Sequence, residues 1–205
     1  MALQEGAAGG TSLKDDVWIA CREKTCCYTR FVTPTGLDVW RIARTMDVPV
    51  WSFVSYFAPS DERPDSFALD STGARYCLLL NKRRSRRTRT PPPCTFLLRT
   101  RRGYHRCALG DLRPRACQAY PSELVEDVVC LRLDGGCTCR RWALADVTIP
   151  TERSLVQARR AELEEYCAIL TRWNAFVAEA DSPSDTDFVA FCAYLLRAYD
   201  ERAAA

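Results

Sequence analysis

The residues best suited to chemistry are the cysteines, twelve in 205 residues, and they fall in groups. Cys21, Cys26 and Cys27 stand near the start as C-x4-C-C. Cys94, Cys107 and Cys117 follow within 24 residues, and Cys130, Cys137 and Cys139 complete the set. Nine thiols in ordered groups admit two chemistries, a disulfide framework or thiolates gathered around metal. The C-x-C at Cys137 and Cys139 offers two ligands from one turn. Adjacent Cys26 and Cys27 point in different directions, which suits a polynuclear cluster or two neighbouring sites better than one tetrahedron. Iron–sulfur chemistry is therefore favoured slightly over zinc.

The first residues, MALQEGAAGGTSLKDD, have no basic region followed by an apolar stretch, so they do not read as a secretory signal. No segment approaches the roughly 20 apolar residues of a membrane helix. The expectation is a cytoplasmic protein without a membrane association, in which thiols stay reduced. That favours metal over disulfides.

Net charge is only +3, but it is segregated. Residues 82–106 carry ten Lys or Arg and no Asp or Glu, leaving the rest of the chain at −7. Such a run needs a partner or a reason. Three uses stand open: a solvated loop, contact with nucleic acid or an acidic partner, and compensation of the negative charge of a thiolate-bound metal. No aromatic residue interrupts 82–89, which gives no support for base stacking there.

These residues must be positioned by a mixed α+β fold. The expectation is a small, loop-rich, metal-stapled module with short strands, followed by a C-terminal antiparallel helical pair. Residues 1–17 are expected to be disordered, 18–147 to form the cysteine module, with 82–93 as an exposed basic and proline-rich loop, and 148–205 to form the helices. Thr35 opens a helix over GLDVWRIARTM, and Pro49 opens a second short one over VWSFVSYF. RYCLLL (75–80) suits a buried strand and CTFLL (94–98) a second. Asp134-Gly135-Gly136 is a turn signal. Pro150-Thr151 starts a long helix to about Ala180, with Leu163, Tyr166, Cys167, Leu170, Trp173 and Val177 on one face. A last helix from near Ser184 turns Phe188, Phe191, Cys192, Leu195 and Tyr199 inward. Because 18–140 has few long periodic segments, ligation is expected to replace core burial there.

The segments Pro93-Cys94-Thr95-Phe96-Leu97 and Cys107-Ala108-Leu109-Gly110-Asp111-Leu112-Arg113-Pro114-Arg115-Ala116-Cys117-Gln118-Ala119-Tyr120-Pro121 carry a resemblance. They are similar to the pattern C-x-F-L … C-x-I-Y-x-x-R-P-x-x-C-R-x-Y-P of the CxxCxxCC cysteine-cluster family, the YkgJ-like zinc- or iron-chelating proteins. The resemblance spans about residues 18–140 and is most specific at R-P-x-x-C-x-x-Y-P. The family opens with C-x2-C-x2-C-C. Aligning its paired cysteines on Cys26 and Cys27 puts Ala20 and Glu23 at the two earlier positions, with Cys21 displaced by one. Gln118 replaces a common arginine. The resemblance implies a zinc or iron–sulfur chelating domain. One branch contains flagellin lysine N-methylases, but this chain has no glycine-rich loop to bind S-adenosylmethionine in the familiar way.

The expected ligands are Cys21, Cys26, Cys27, Cys94, Cys107, Cys117, Cys137 and Cys139, holding a [4Fe-4S] cluster or Zn2+ in a structural or redox role. Alternatives are a protein-modifying enzyme component like the methylase and a nucleic-acid-associated adaptor using 82–106; catalysis and the protein partner stay open. Glu23 is a candidate oxygen ligand or a surface carboxylate, and Cys130 a ligand or a core residue. Cys77, Cys167 and Cys192 read as core. His105, the only histidine, reads as a surface residue or a ligand, and its solitude argues against a Ser-His-Asp triad. Arg113 is expected to bond cluster sulfurs, pair with a buried carboxylate, or lie in a surface pair. Trp142 is a candidate cover for the site.

Overall fold

The computed structural model describes residues 14, 18, 21–83, 91–132, 137, 141–180 and 182–204. The expected turn at 134–136, Cys139, most of the expected N-terminal tail and most of the basic run lie outside the described residues. The fold is α+β, with short antiparallel strand pairs and a C-terminal helical pair.

The first described helix, α1, is Cys26–Thr29. Helix α2, Gly36–Met46, starts where the sequence places it. The Thr35 hydroxyl accepts the Asp38 N–H at 3.2 Å, and the Asp38 carboxylate accepts the Thr35 N–H at 3.1 Å, a reciprocal cap. After Pro49 the chain makes one 3-10 turn, Val50–Ser52, and then strand β1, Val54–Phe57, where the sequence reading extends a helix. Val54, Phe53 and Val50 are all buried, a run with β-branched and aromatic residues that fits a paired strand better than a helix face. Its partner is β2, Cys77–Leu80, in antiparallel register Val54↔Leu80.

The second hairpin pairs β3, Leu97–Arg99, with β4, His105–Cys107. The strand expected at 94–98 thus begins three residues later, and Cys94 instead forms an isolated bridge to Lys82. Helix α3, Arg115–Ala119, and the hairpin of β5, Ser122–Val125, and β6, Val128–Leu131, follow, with a cis peptide at Tyr120-Pro121. Helix α4, Ile149–Glu179, carries Pro150 in its first turn, and α5 is Phe188–Ala203. No described helix is long and apolar enough to cross a membrane.

One main core joins these elements. Tyr166, Leu170, Trp173 and Val177 of α4 and Phe191, Leu195 and Tyr199 of α5 are buried against Val39 and Ile42 of α2 and Phe53, Phe67, Leu78 and Phe96. Phe67 stacks on Phe191 at 3.9 Å between ring centroids, and Trp173 meets Phe191 edge-on at 5.3 Å. Gly36 lets α2 approach the pair, because a Cβ there would lie 2.7 Å from both Tyr166 Cδ2 and Tyr199 Cε2. The expectation that ligation replaces burial over 18–140 is therefore corrected. This segment supplies more than half of the buried core, from its strands, α2 and the turns and loops between them, although its periodic stretches are too short to announce that. Cys77 and Cys192 are buried, as their apolar surroundings imply, and Cys167 is half-buried.

Candidate metal centre

Five thiols line one cavity of about 80 Å³: Cys26, Cys27, Cys94, Cys107 and Cys117. They come from four separate places in the chain, and local structure explains how each arrives. Lys24, in left-handed conformation (φ 48°), turns the backbone so that α1 begins at Cys26. The Cys94 N–H donates to the Cys27 carbonyl at 2.8 Å, fixing those two segments together. Lys82 Nζ donates to the Cys27 and Tyr28 carbonyls at 2.9 and 3.3 Å, holding the end of α1. Cys107 stands opposite Leu97 in the β3–β4 register, on the inner face of the hairpin. Pro114 caps α3, and the Cys117 N–H returns to the Pro114 carbonyl at 2.7 Å, which directs Cys117 inward.

The cavity wall explains the residues between the cysteines. Arg113 donates to the Gly110 carbonyl at 2.9 Å, and its guanidinium lies 3.9 Å above the Trp18 ring, in the cavity lining. The buried carboxylates fall instead to its neighbour. Arg115 Nε donates to Glu162 at 2.9 Å and the Arg115 N–H to Asp38 at 3.1 Å. Arg41 reaches the same two carboxylates, at 2.6 Å for Asp38 and 3.7 Å for Glu162. Both carboxylates are buried and doubly paired, so the network clamps α3 to α2 and α4. Gln118 spans this clamp and the turn before it, accepting from Arg115 at 2.8 Å and donating to the Arg113 carbonyl at 2.6 Å. Arg30 lies over the Tyr120 ring at 4.3 Å, and both line the cavity.

The electrostatics are those of thiols crowded in a buried, mostly apolar space. A hydrogen bond from the Cys27 thiol favours the Cys26 thiolate and brings Cys26 down to about 7. The same shared proton, with burial, holds Cys27 well above the ordinary thiol range. Burial pushes Cys94, Cys107 and Cys117 upward, reinforced by neighbouring sulfurs. A cation among them would invert that preference, since a coordinated thiol is deprotonated. Lys82, Arg30 and Arg113 already supply positive charge in the lining.

The other expected ligands are placed differently. Cys21 does not line the cavity; its sulfur accepts the Lys24 N–H at 3.4 Å. Cys137 is also absent from the lining, and Cys139 lies outside the described residues. Cys130 sits in β6 opposite Glu123, away from the cavity. Glu23 is exposed and lines a separate groove. His105 uses both ring nitrogens elsewhere, on the Arg22 carbonyl at 3.1 Å and the Tyr28 hydroxyl at 3.3 Å. The indole over the site is Trp18, not Trp142, and Trp18 precedes every motif that the sequence reading used. The eleven described cysteines are all free thiols. Among the described residues, no group of three or more His, Cys, Asp and Glu side chains is arranged to hold a metal ion.

No family model, no curated protein and no solved structure matches the chain.

Proposed function

We propose that this chain is a metal-binding protein whose cavity holds a thiolate-ligated centre, an iron–sulfur cluster ahead of zinc, drawing its ligands from Cys26, Cys27, Cys94, Cys107 and Cys117. The observation that carries this reading is the convergence of five thiols, spread over 92 positions of sequence, on one apolar cavity. A thiol cavity formed by packing alone has no reason to collect sulfur from four segments. Thiols also bind metal as anions, and the cationic Lys82, Arg30 and Arg113 in the wall favour that state.

Two features favour a cluster over a single ion. A lone tetrahedral zinc draws four sulfurs to about 2.3 Å and leaves no space between them. The cavity here is about 80 Å³, several times the ~10–15 Å³ that one water requires. A polynuclear core bridges a wider ring of sulfurs. The adjacent Cys26 and Cys27 both line the cavity, as two corners of such a core require. A bound cluster supplies one-electron transfer, with its potential set by burial and by donors to sulfur. The family resemblance carried by Arg113-Pro114 and Cys117 agrees with chelation. A reducing, cytoplasmic setting belongs to the same reading. The methylase-like alternative receives no specific support, whereas the basic segment offers a partner surface.

Anaerobic purification followed by iron, zinc and acid-labile sulfide analysis tests the reading. About four iron and four sulfide per chain is the expected result for a four-iron cluster. Stoichiometric zinc without sulfide would move the assignment to zinc. A chain without either metal would overturn the proposal.

A further inference from the structure

A groove of about 440 Å³ lies on the other side of α1 from the thiol cavity. Its walls are the 22–29 segment, with Arg22, Glu23, Thr25, Tyr28 and Thr29, the β3–β4 hairpin, with Gly103 and His105, and Pro91. The walls are joined by the His105 N–H, which donates to the Arg22 carbonyl at 3.1 Å. Tyr28 and His105 meet edge-to-face at 5.7 Å and present ring surface to the groove.

The rim is basic. Arg99 stands directly opposite His105 in the antiparallel register, hence on the same face as the groove. Arg101 and Arg102 follow in the exposed turn that ends at Gly103. Arg22, on the facing wall, is exposed and lies 4.7 Å over the Tyr104 ring. No described carboxylate forms an ion pair with Arg22, Arg99, Arg101 or Arg102. Glu23 is the one carboxylate among the lining residues. The hairpin needs no such charge for its own fold, because the inward residues of its ladder are Leu97 and Cys107.

We propose that this groove docks single-stranded nucleic acid, with the arginine rim on the phosphates and the Tyr28 and His105 rings against a base. Guanidinium groups beside aromatic rings are the combination that such binding uses, phosphate neutralisation for affinity and sequence-tolerant stacking for placement. An acidic peptide would match the charge but leave the ring surface without a function. The inference does not depend on which metal, if any, fills the thiol cavity.

The test is fluorescence anisotropy of the full chain with a 5′-labelled fifteen-residue oligothymidylate, measured from low to moderate salt. The combined Arg99→Ser, Arg101→Ser, Arg102→Ser variant changes exposed residues only. It should bind at least tenfold more weakly at low salt and flatten the log–log salt slope by about 2, since each single-strand phosphate contributes about 0.7. Metal content, read in parallel, should be unchanged. The charge-matched control Arg75→Ser, Arg172→Ser, Arg197→Ser, also exposed, should leave the slope unchanged. Three results would each overturn the inference: no salt-dependent binding by the native chain, equal flattening by the control, or displacement of the oligonucleotide by polyglutamate at equal charge.

Discussion

The thiol cavity and the helical core sit side by side and are built on opposite principles. The core is made of large side chains in continuous contact, Phe67 on Phe191, Trp173 against both Phe191 and Tyr194, and its stability comes from apolar burial. The cavity is made of short pieces: a four-residue helix, a five-residue helix, a three-residue strand and the isolated bridge at Cys94 bring its sulfurs in. Those pieces are held by backbone bonds, by Lys82 on the Cys27 carbonyl and by the Arg115 clamp. The contrast leads to an expectation: the apolar core should fold without metal, and if the proposed centre is present it should stabilise the short cavity segments, whose thiols burial otherwise holds neutral. Metal loss should therefore loosen 21–30 and 94–117 and leave the helices standing.

The largest effect that would break this division is on metal itself. Cys94→Ser with Cys117→Ser should remove most bound metal, measured by elemental and sulfide analysis, while the helical circular dichroism signal persists. Cys77→Ser and Cys192→Ser, both buried in the core, should retain full metal and lose stability instead. If the core variants lost metal and the cavity pair kept it, the two regions would have been assigned the wrong way round.

Next in size are the core variants. Phe191→Ala empties the centre of the aromatic cluster and should cost about 3–5 kcal/mol in denaturant unfolding. Gly36→Ala drives a methyl to 2.7 Å from two tyrosine rings and 2.9 Å from Leu195, and should cost about 1–3 kcal/mol by forcing α2 away from the pair. Both proteins should still take up metal below their lowered melting temperatures. Failure to do so would show that the cavity depends on the core more closely than the short, separately bonded segments imply.

The Arg115 clamp sharpens the comparison because it belongs to both regions. Glu162→Gln keeps the shape but removes the charge that Arg115 and Arg41 share. A loss of about 1–3 kcal/mol is expected, because two partly buried guanidinium groups lose their anion. The absorption or redox potential of the bound centre should shift as well, since Cys117 lies on the clamped helix. A stability loss with an unaltered centre would mean that the clamp serves the scaffold alone.

The smallest effect is a pH dependence confined to the scaffold. The Arg44 and Trp40 hydrogen bonds hold the Asp200 carboxyl below its ordinary range. A carboxylate lowered in the folded state stabilises fully above its unfolded value of about 3.9 and loses that contribution as pH falls through the folded one. Asp200→Asn should therefore match the native melting temperature more closely at acid pH than at neutral pH, with metal content unaffected.

Particular residues show how far the sequence reached. Thr35 announced the start of α2, because a helix-opening threonine is a local signal, while its reciprocal cap with Asp38 came from the structure, and Pro150 with the spacing from Tyr166 to Val177 announced α4, because helical periodicity is local too. The sequence also singled out Cys26, Cys27, Cys94, Cys107 and Cys117, though together with Cys21 and Cys137, which the fold leaves outside the cavity. The strand at Val54–Phe57 was hidden, because its four residues, inside the mostly apolar run that follows Pro49, are too few to show a period that separates strand from helix. Spacing counts residues, whereas joining one cavity depends on hairpin register and on where each loop is tied. The tertiary structure alone decided that Arg115 rather than Arg113 meets the buried carboxylates, and that Trp18, packed on Arg113, rather than Trp142 lines the cavity. Those contacts join residues 47 and 95 positions apart, a separation at which only packing determines what touches what.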